Sequence, residues 1–131
     1  MPLLSYSFIE KCPSLSMAFE LSLSALSFCA QLEKDRHFVV ANQLLKSATS
    51  IGANISEAQD AESRADFIHK MKIAIKECGE TSYWLLLCQR SFQYEKTDLL
   101  IELNSQLYKV LAKIISTAKK NLNYPAQKKP Q

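Results

Sequence analysis

No proline interrupts the chain between Pro13 and Pro125, and that stretch holds only two glycines, Gly52 and Gly79. Proline removes a backbone donor and stops helices. A β-rich domain draws on both residue types at its many turns. A chain this poor in breakers satisfies its backbone most simply with long helices. At 131 residues it fits one domain that can bury a core without disulfide or metal staples.

Apolar spacing divides the chain into four helical segments. The first is expected over 14–33, with Leu15, Ala18, Phe19, Leu23, Leu26, Ala30 and Leu32 inward. A polar connection follows, in which Asp35 fits an N-cap. The second covers 36–59, with Phe38, Ala41, Leu44, Leu45, Ala48, Ile51, Gly52 and Ile55 on one stripe. Ser63 and Asp66 have capping-box spacing and mark the start of the third helix, 64–92. Its stripe holds Phe67, Ile68, Met71, Ala74, Ile75, Cys78, Leu85, Leu86 and Phe92. The fourth covers 98–123, with Thr97 as its cap and Leu100, Leu103, Leu107, Val110, Leu111, Ile114, Ala118 and Leu122 inward. Short connections between long helices place sequential neighbours antiparallel. The expected fold class is all-α, an antiparallel up-down-up-down four-helix bundle over 14–123. It is preceded by an N-terminal segment, 1–13, and followed by a disordered polar tail, 124–131.

The faces that do not build the core carry the functional information. Between Phe38 and Ser56 the second helix has one charged residue, Lys46. Opposite its apolar stripe lie Gln43, Ser47, Ser50, Asn54 and Glu57. Small uncharged polar groups there, and a mid-helix glycine at position 52, point to close contact with another helix, in the chain or in a second copy. The third helix carries Ile73, Trp84 and Leu87 away from its core stripe, a pattern typical of protein contacts. These eight residues form the expected oligomer interface.

A second pattern is basic. Lys109, Lys113 and Lys120 share a stripe of the fourth helix, Lys119 lies to one side, and Arg64, Lys72 and Lys76 run along the third. Such a face can neutralise phosphates without reading sequence. A solvated helix face has the same look, and the net charge of +3 is compatible with nucleic acid without requiring it. Tyr108 and Tyr124 read as core edge and tail rather than as stacking platforms.

Catalytic patterns are wanting. Asp66 and His69 have the i, i+3 spacing of half a bundle di-metal site, but no second pair accompanies them. No glycine-rich phosphate loop and no nucleophile elbow occur. Cys12, Cys29, Cys78 and Cys88 lack CxxC spacing and read as reduced small hydrophobes. No catalytic residue, cofactor or metal is therefore expected. No secretory signal and no membrane-spanning run are read, so the expected location is cytoplasmic.

Residues 43–87 are the most specific feature. The SIGANISEA stretch of 50–58, the helix start at 63–67 and the KExxETxYWL stretch of 76–85 resemble the signature of the bacterial four-helix-bundle family. That family is also known from proteins encoded in 23S rRNA intervening sequences. It includes the accessory variability proteins of diversity-generating retroelements. The resemblance implies a four-helix protomer and assembly as a homopentamer forming a basic barrel. For retroelement members it implies nucleic-acid binding and association with a reverse transcriptase. It carries no catalytic residue. It gives Asn54 and Glu57 a part in the corner between the second and third helices and in the subunit contact. The alternative is a protein–protein adaptor with no nucleic-acid role.

Overall fold

A computed structural model describes residues 3–123, without the side chains of Leu122 and Asn123. The polar tail expected over 124–131, with Tyr124, Lys128 and Lys129, lies outside the described residues. The described chain is all-α: α1 (Tyr6–Lys11), α2 (Pro13–Lys34), α3 (Phe38–Ala58), α4 (Arg64–Ser91) and α5 (Lys96–Asn123).

Local chemistry fixes the helix ends. Ser5 Oγ accepts the Phe8 N–H at 3.2 Å and starts α1. Pro13 then occupies the first turn of α2, where its missing N–H has no partner to lose. At the end of α2 the His37 N–H bonds Leu32 O at 2.8 Å and the Arg36 N–H bonds Glu33 O at 2.9 Å. These paired bonds form a Schellman motif. They place Arg36 at φ 68°, in the left-handed position where glycine is usual. Asp35 therefore belongs to the end of α2. The expected N-cap role fails, because the residue before α3 is His37, which makes no side-chain cap. Ser63 does cap α4, accepting the Asp66 N–H at 3.0 Å. The Asp66 carboxylate reaches back to the Glu62 N–H at 3.3 Å, one residue beyond the usual box partner. Thr97 is no cap either, since α5 begins at Lys96 and Thr97 is buried.

Four helices close a circuit of contacts: α2 packs on α3, α3 on α4, α4 on α5, and α5 back on α2, with α1 lying against α2. The centre holds Leu21, Phe28 and Leu32 of α2, Leu44, Ile51 and Ile55 of α3, Met71 and Leu85 of α4, and Leu100, Leu107 and Leu111 of α5. Gly52 lets α2 and α3 approach closely: a Cβ there would lie 3.4 Å from Ala18 Cβ. Its packing reason lies inside the chain.

The expected core needs correction at the rims. Leu23 and Leu26 of α2, Phe38 of α3 and Leu86 of α4 are exposed, and so is Ala30. Leu21, Ala25 and Phe28 take the inward positions of α2 instead. α2 is also long and apolar enough to cross a membrane, contrary to the sequence expectation, although its inward stripe is spent on the core of this chain.

Candidate nucleic-acid and self-association surfaces

Seven cations were expected on a basic face: Arg64, Lys72, Lys76, Lys109, Lys113, Lys119 and Lys120. All seven are exposed. Among the described residues the single ion pair is Lys70 with Glu57, at 3.1 Å, so none of the seven pairs with a carboxylate of those residues. After Glu102 the sequence contains no further Asp or Glu, leaving most of α5 free of acidic side chains.

The seven are not one stripe. Lys72 of α4 and Lys119 of α5 meet across the α4–α5 seam. Direct contact with the Lys72 ammonium, and repulsion from it, hold Lys119 below the usual lysine range. Like charges held together raise the local potential and favour an anion between them. Arg64 and Lys113 flank an apolar depression of about 440 Å³ floored by Phe67, Val110 and Ile114. Lys109 stands at a third place, on the lip of a groove of about 500 Å³ shared with Gly79, Asn104 and Tyr108. Tyr108 is 48% exposed, which corrects its placement as core edge. Lys76 and Lys120 are exposed outside these clusters. Lys76 is close enough to Glu77 to act on its charge. Glu77 itself is held above the usual carboxylate range, first by partial burial and then by Glu80.

The expected self-association residues divide differently. Ser47 is fully buried: it donates to Leu44 O at 3.2 Å and accepts from Thr81 Oγ1 at 2.9 Å. It serves the α3–α4 packing and cannot meet a second copy. Gln43 lies four residues before it, Ser50 three after it and Asn54 four beyond Ser50, and all three are half-buried. Ser50 and Asn54 bond back to Lys46 O and Ser50 O of their own helix, at 2.7 and 2.8 Å. Glu57 closes the α3–α4 corner through Lys70. Ser47 and Glu57 thus serve the contact with α4 of the same chain. Ile73 is half-buried.

Trp84 and Leu87 are different. They border an open depression of about 370 Å³ together with Phe38, Val39 and Phe92. Phe38 is 56% exposed, Val39 77% and Leu87 40%, so this end of the α3–α4 surface is apolar and uncovered. The Trp84 Nε1–H is buried without a partner. Sequence reasoning missed Val39 and assigned Phe38 to the core. The signal was the run of three apolar residues at the start of α3, of which one helix face can bury only part.

Elsewhere the chemistry is quiet. Asp66 is committed to the start of α4 and His69 is exposed. Burial pushes the thiols of Cys29 and Cys78 up to about 12 and that of Cys88 to about 11. These groups stay protonated at neutral pH and make poor nucleophiles or metal ligands.

The chain matches the family described as 23S rRNA-intervening sequence protein over residues 10–116. A crystal structure of a protein of unknown function from the S23 ribosomal protein family of Bacteroides thetaiotaomicron superposes with a TM-score of 0.75. It shares 38% identity, over 78% of this chain and 97% of that one. No curated protein matches the chain.

Proposed function

The chain belongs to the 23S rRNA-intervening sequence protein family, and from that premise we propose that it is a non-enzymatic, cytoplasmic assembly protein that holds RNA or DNA by its phosphates. The protomer is read as an antiparallel, up-down-up-down four-helix bundle. The cross-helix pairs Glu57–Lys70 and Ser47–Thr81 support that arrangement for α3 and α4, and Gln89–Asp98 and Asn104–Cys78 support it for α4 and α5. Several protomers, in our reading five, close a ring through the apolar surface around Trp84 and Leu87. A ring repeats its basic seam once per subunit and multiplies the field.

The observation that carries the nucleic-acid reading is the basic α4–α5 seam, where Lys72 of α4 lies beside Lys119 of α5, neither has an ion-pair partner among the described residues, and α5 has no acidic residue after Glu102. Titration of a labelled structured RNA at two salt concentrations tests it. Binding that falls steeply with salt, and a shallower salt slope for the Lys72→Gln/Lys119→Gln double variant, is the expected result. Salt-independent binding, or none at low salt, would remove the reading. In the adaptor alternative these substitutions leave the biological partner bound. A reverse transcriptase is a partner of the nucleic-acid reading, and copurification of the two proteins tests it.

A further inference from the structure

The seam between α4 and α5 contains two features that the packing of this chain leaves unexplained. The first is Gly79. A Cβ at this position would meet nothing within 4 Å, so neither close helix contact nor strain requires glycine there. Mid-helix glycine is disfavoured relative to alanine, and such a residue on an open wall keeps space free. The second is Asn104. It occupies a core position of α5 between Leu100 and Leu107 and is 4% exposed. Its Nδ2 donates to Cys78 O at 2.9 Å, which leaves Oδ1 buried with no donor. Buried acceptors are nearly always paired, and exceptions call for an explanation. Both residues line the same groove of about 500 Å³, a volume in the range of small-molecule sites. Ser82 and Ser105 add hydroxyls to its walls, and Tyr108 and Lys109 stand at its lip.

We propose that this groove is a subsite for one unpaired nucleobase bearing an exocyclic amino group, a reading that rests on nucleic-acid binding by the same seam. The half-exposed Tyr108 ring offers a stacking surface, which accepts any base. The Lys109 ammonium meets the adjoining phosphate. Asn104 gives the selectivity. Its amide nitrogen already donates one proton to Cys78 O, whereas its oxygen has no donor at all and needs one. The amino group of adenine or cytosine projects from the ring and can reach a recessed acceptor with a small shift of the Asn104 side chain. The N3–H of uracil lies between two carbonyl groups, which would be set against Asn104 Oδ1 and the neighbouring Cys78 carbonyl. Tyr108 and Lys119 are eleven residues apart on α5, about 16 Å at the helical rise. A strand running along the seam would meet the base subsite and the Lys72–Lys119 pair in succession.

The test compares labelled oligo(A), oligo(C) and oligo(U) of equal length, and one RNA duplex, by fluorescence anisotropy on the full chain. Oligo(A) and oligo(C) should bind about fivefold or more tighter than oligo(U), in keeping with one hydrogen bond to a buried acceptor. Gly79→Leu, which fills the groove from an open helix wall, should erase the preference and leave duplex binding unchanged. Tyr108→Ala should weaken all three single strands by about tenfold. Asn104→Leu should equalise them, and circular dichroism of each variant confirms that it folds. Equal binding of the three strands by the unaltered protein, or a preference that survives Gly79→Leu, overturns the subsite alone as long as the duplex binds. No binding of any strand or of the duplex overturns the nucleic-acid reading and the subsite with it.

Discussion

Thr81 on α4 donates its hydroxyl to Ser47 on α3 at 2.9 Å, in the fully buried interface between the two helices, and Ser47 in turn donates its hydroxyl to Leu44 O. Thr81→Val keeps the shape and removes the donor. Ser47 Oγ then loses one partner in a dry site, at a cost of about 1 kcal/mol. Ser47→Ala leaves the Thr81 hydroxyl unpaired at a similar cost. The double variant removes both polar groups, so its loss should fall short of the sum of the two single losses. Urea unfolding of the four proteins measures this coupling. Strict additivity would mean that the bond contributes nothing.

The two glycines should respond differently to alanine. At Gly79 a methyl group enters open space, so Gly79→Ala should stabilise the fold by about 1 kcal/mol through helix propensity alone. At Gly52 the new methyl sits 3.4 Å from Ala18 Cβ, and Gly52→Ala should gain less. Gly52→Leu forces α2 and α3 apart and should cost about 1–3 kcal/mol. Thermal melts of the three variants rank them. A larger gain at position 52 than at 79 would show that the tight contact lies elsewhere.

The Tyr94 hydroxyl donates to the Asp35 carboxylate and ties the α4–α5 connection to the end of α2. That bond, helped by Gln31, holds Asp35 below the usual carboxylate range, while it pushes Tyr94 up to about 12. For Asp35 the folded state favours the ionised form. Its contribution is therefore present above the ordinary carboxylate value and fades as pH falls through the depressed one. For Tyr94 the folded state favours the neutral form. Its contribution is present below the ordinary phenol value of 10.0 and is lost as pH rises towards 12. Stability measured against pH should show both losses, and Tyr94→Phe should flatten both. Both groups are solvent-accessible, so the slopes will be shallow.

Burial raises three of the four thiols, Cys29, Cys78 and Cys88, whereas Cys12 is only half-buried. A small thiol reagent at mildly alkaline pH should label Cys12 first. The other three should react only in denaturant, with mass spectrometry locating the label. Fast native labelling of Cys78 would mean that the α4–α5 seam opens.

How much of this was legible in the sequence depends on charge contrast. Ser63 with Asp66 fixed the start of α4, and the inward leucines of α5 stood out because lysines fill the opposite face. α2 lacks that contrast: between Pro13 and Gln31 its one charged residue is Glu20. Leu23 and Leu26 fit a helical stripe as well as Leu21, Ala25 and Phe28 do, and only packing on α3 and α5 decides between them. Ser47 read as an outer residue because its partner, Thr81, is 34 positions away. The basic residues were legible one by one, but the meeting of Lys72 and Lys119 depends on the α4–α5 register. Asn104 had a local signal, an amide in a run of inward leucines.

Trp84 is the single tryptophan, and it borders the apolar depression formed with Phe38, Val39 and Leu87. Its emission should therefore report assembly directly. If copies of the chain cover this surface, dilution should shift the emission to the red as water reaches the ring. The shift should track the fall in mass seen by light scattering. Val39→Glu and Leu87→Glu place charges on exposed positions, so a folded monomer tolerates them. An assembled interface would have to bury those charges unpaired, at a cost of several kcal/mol per copy. Each variant should scatter as a monomer at tens of micromolar, with unchanged helicity. Should the unaltered chain already be a monomer at that concentration, with emission independent of dilution, this surface does not join copies of the chain.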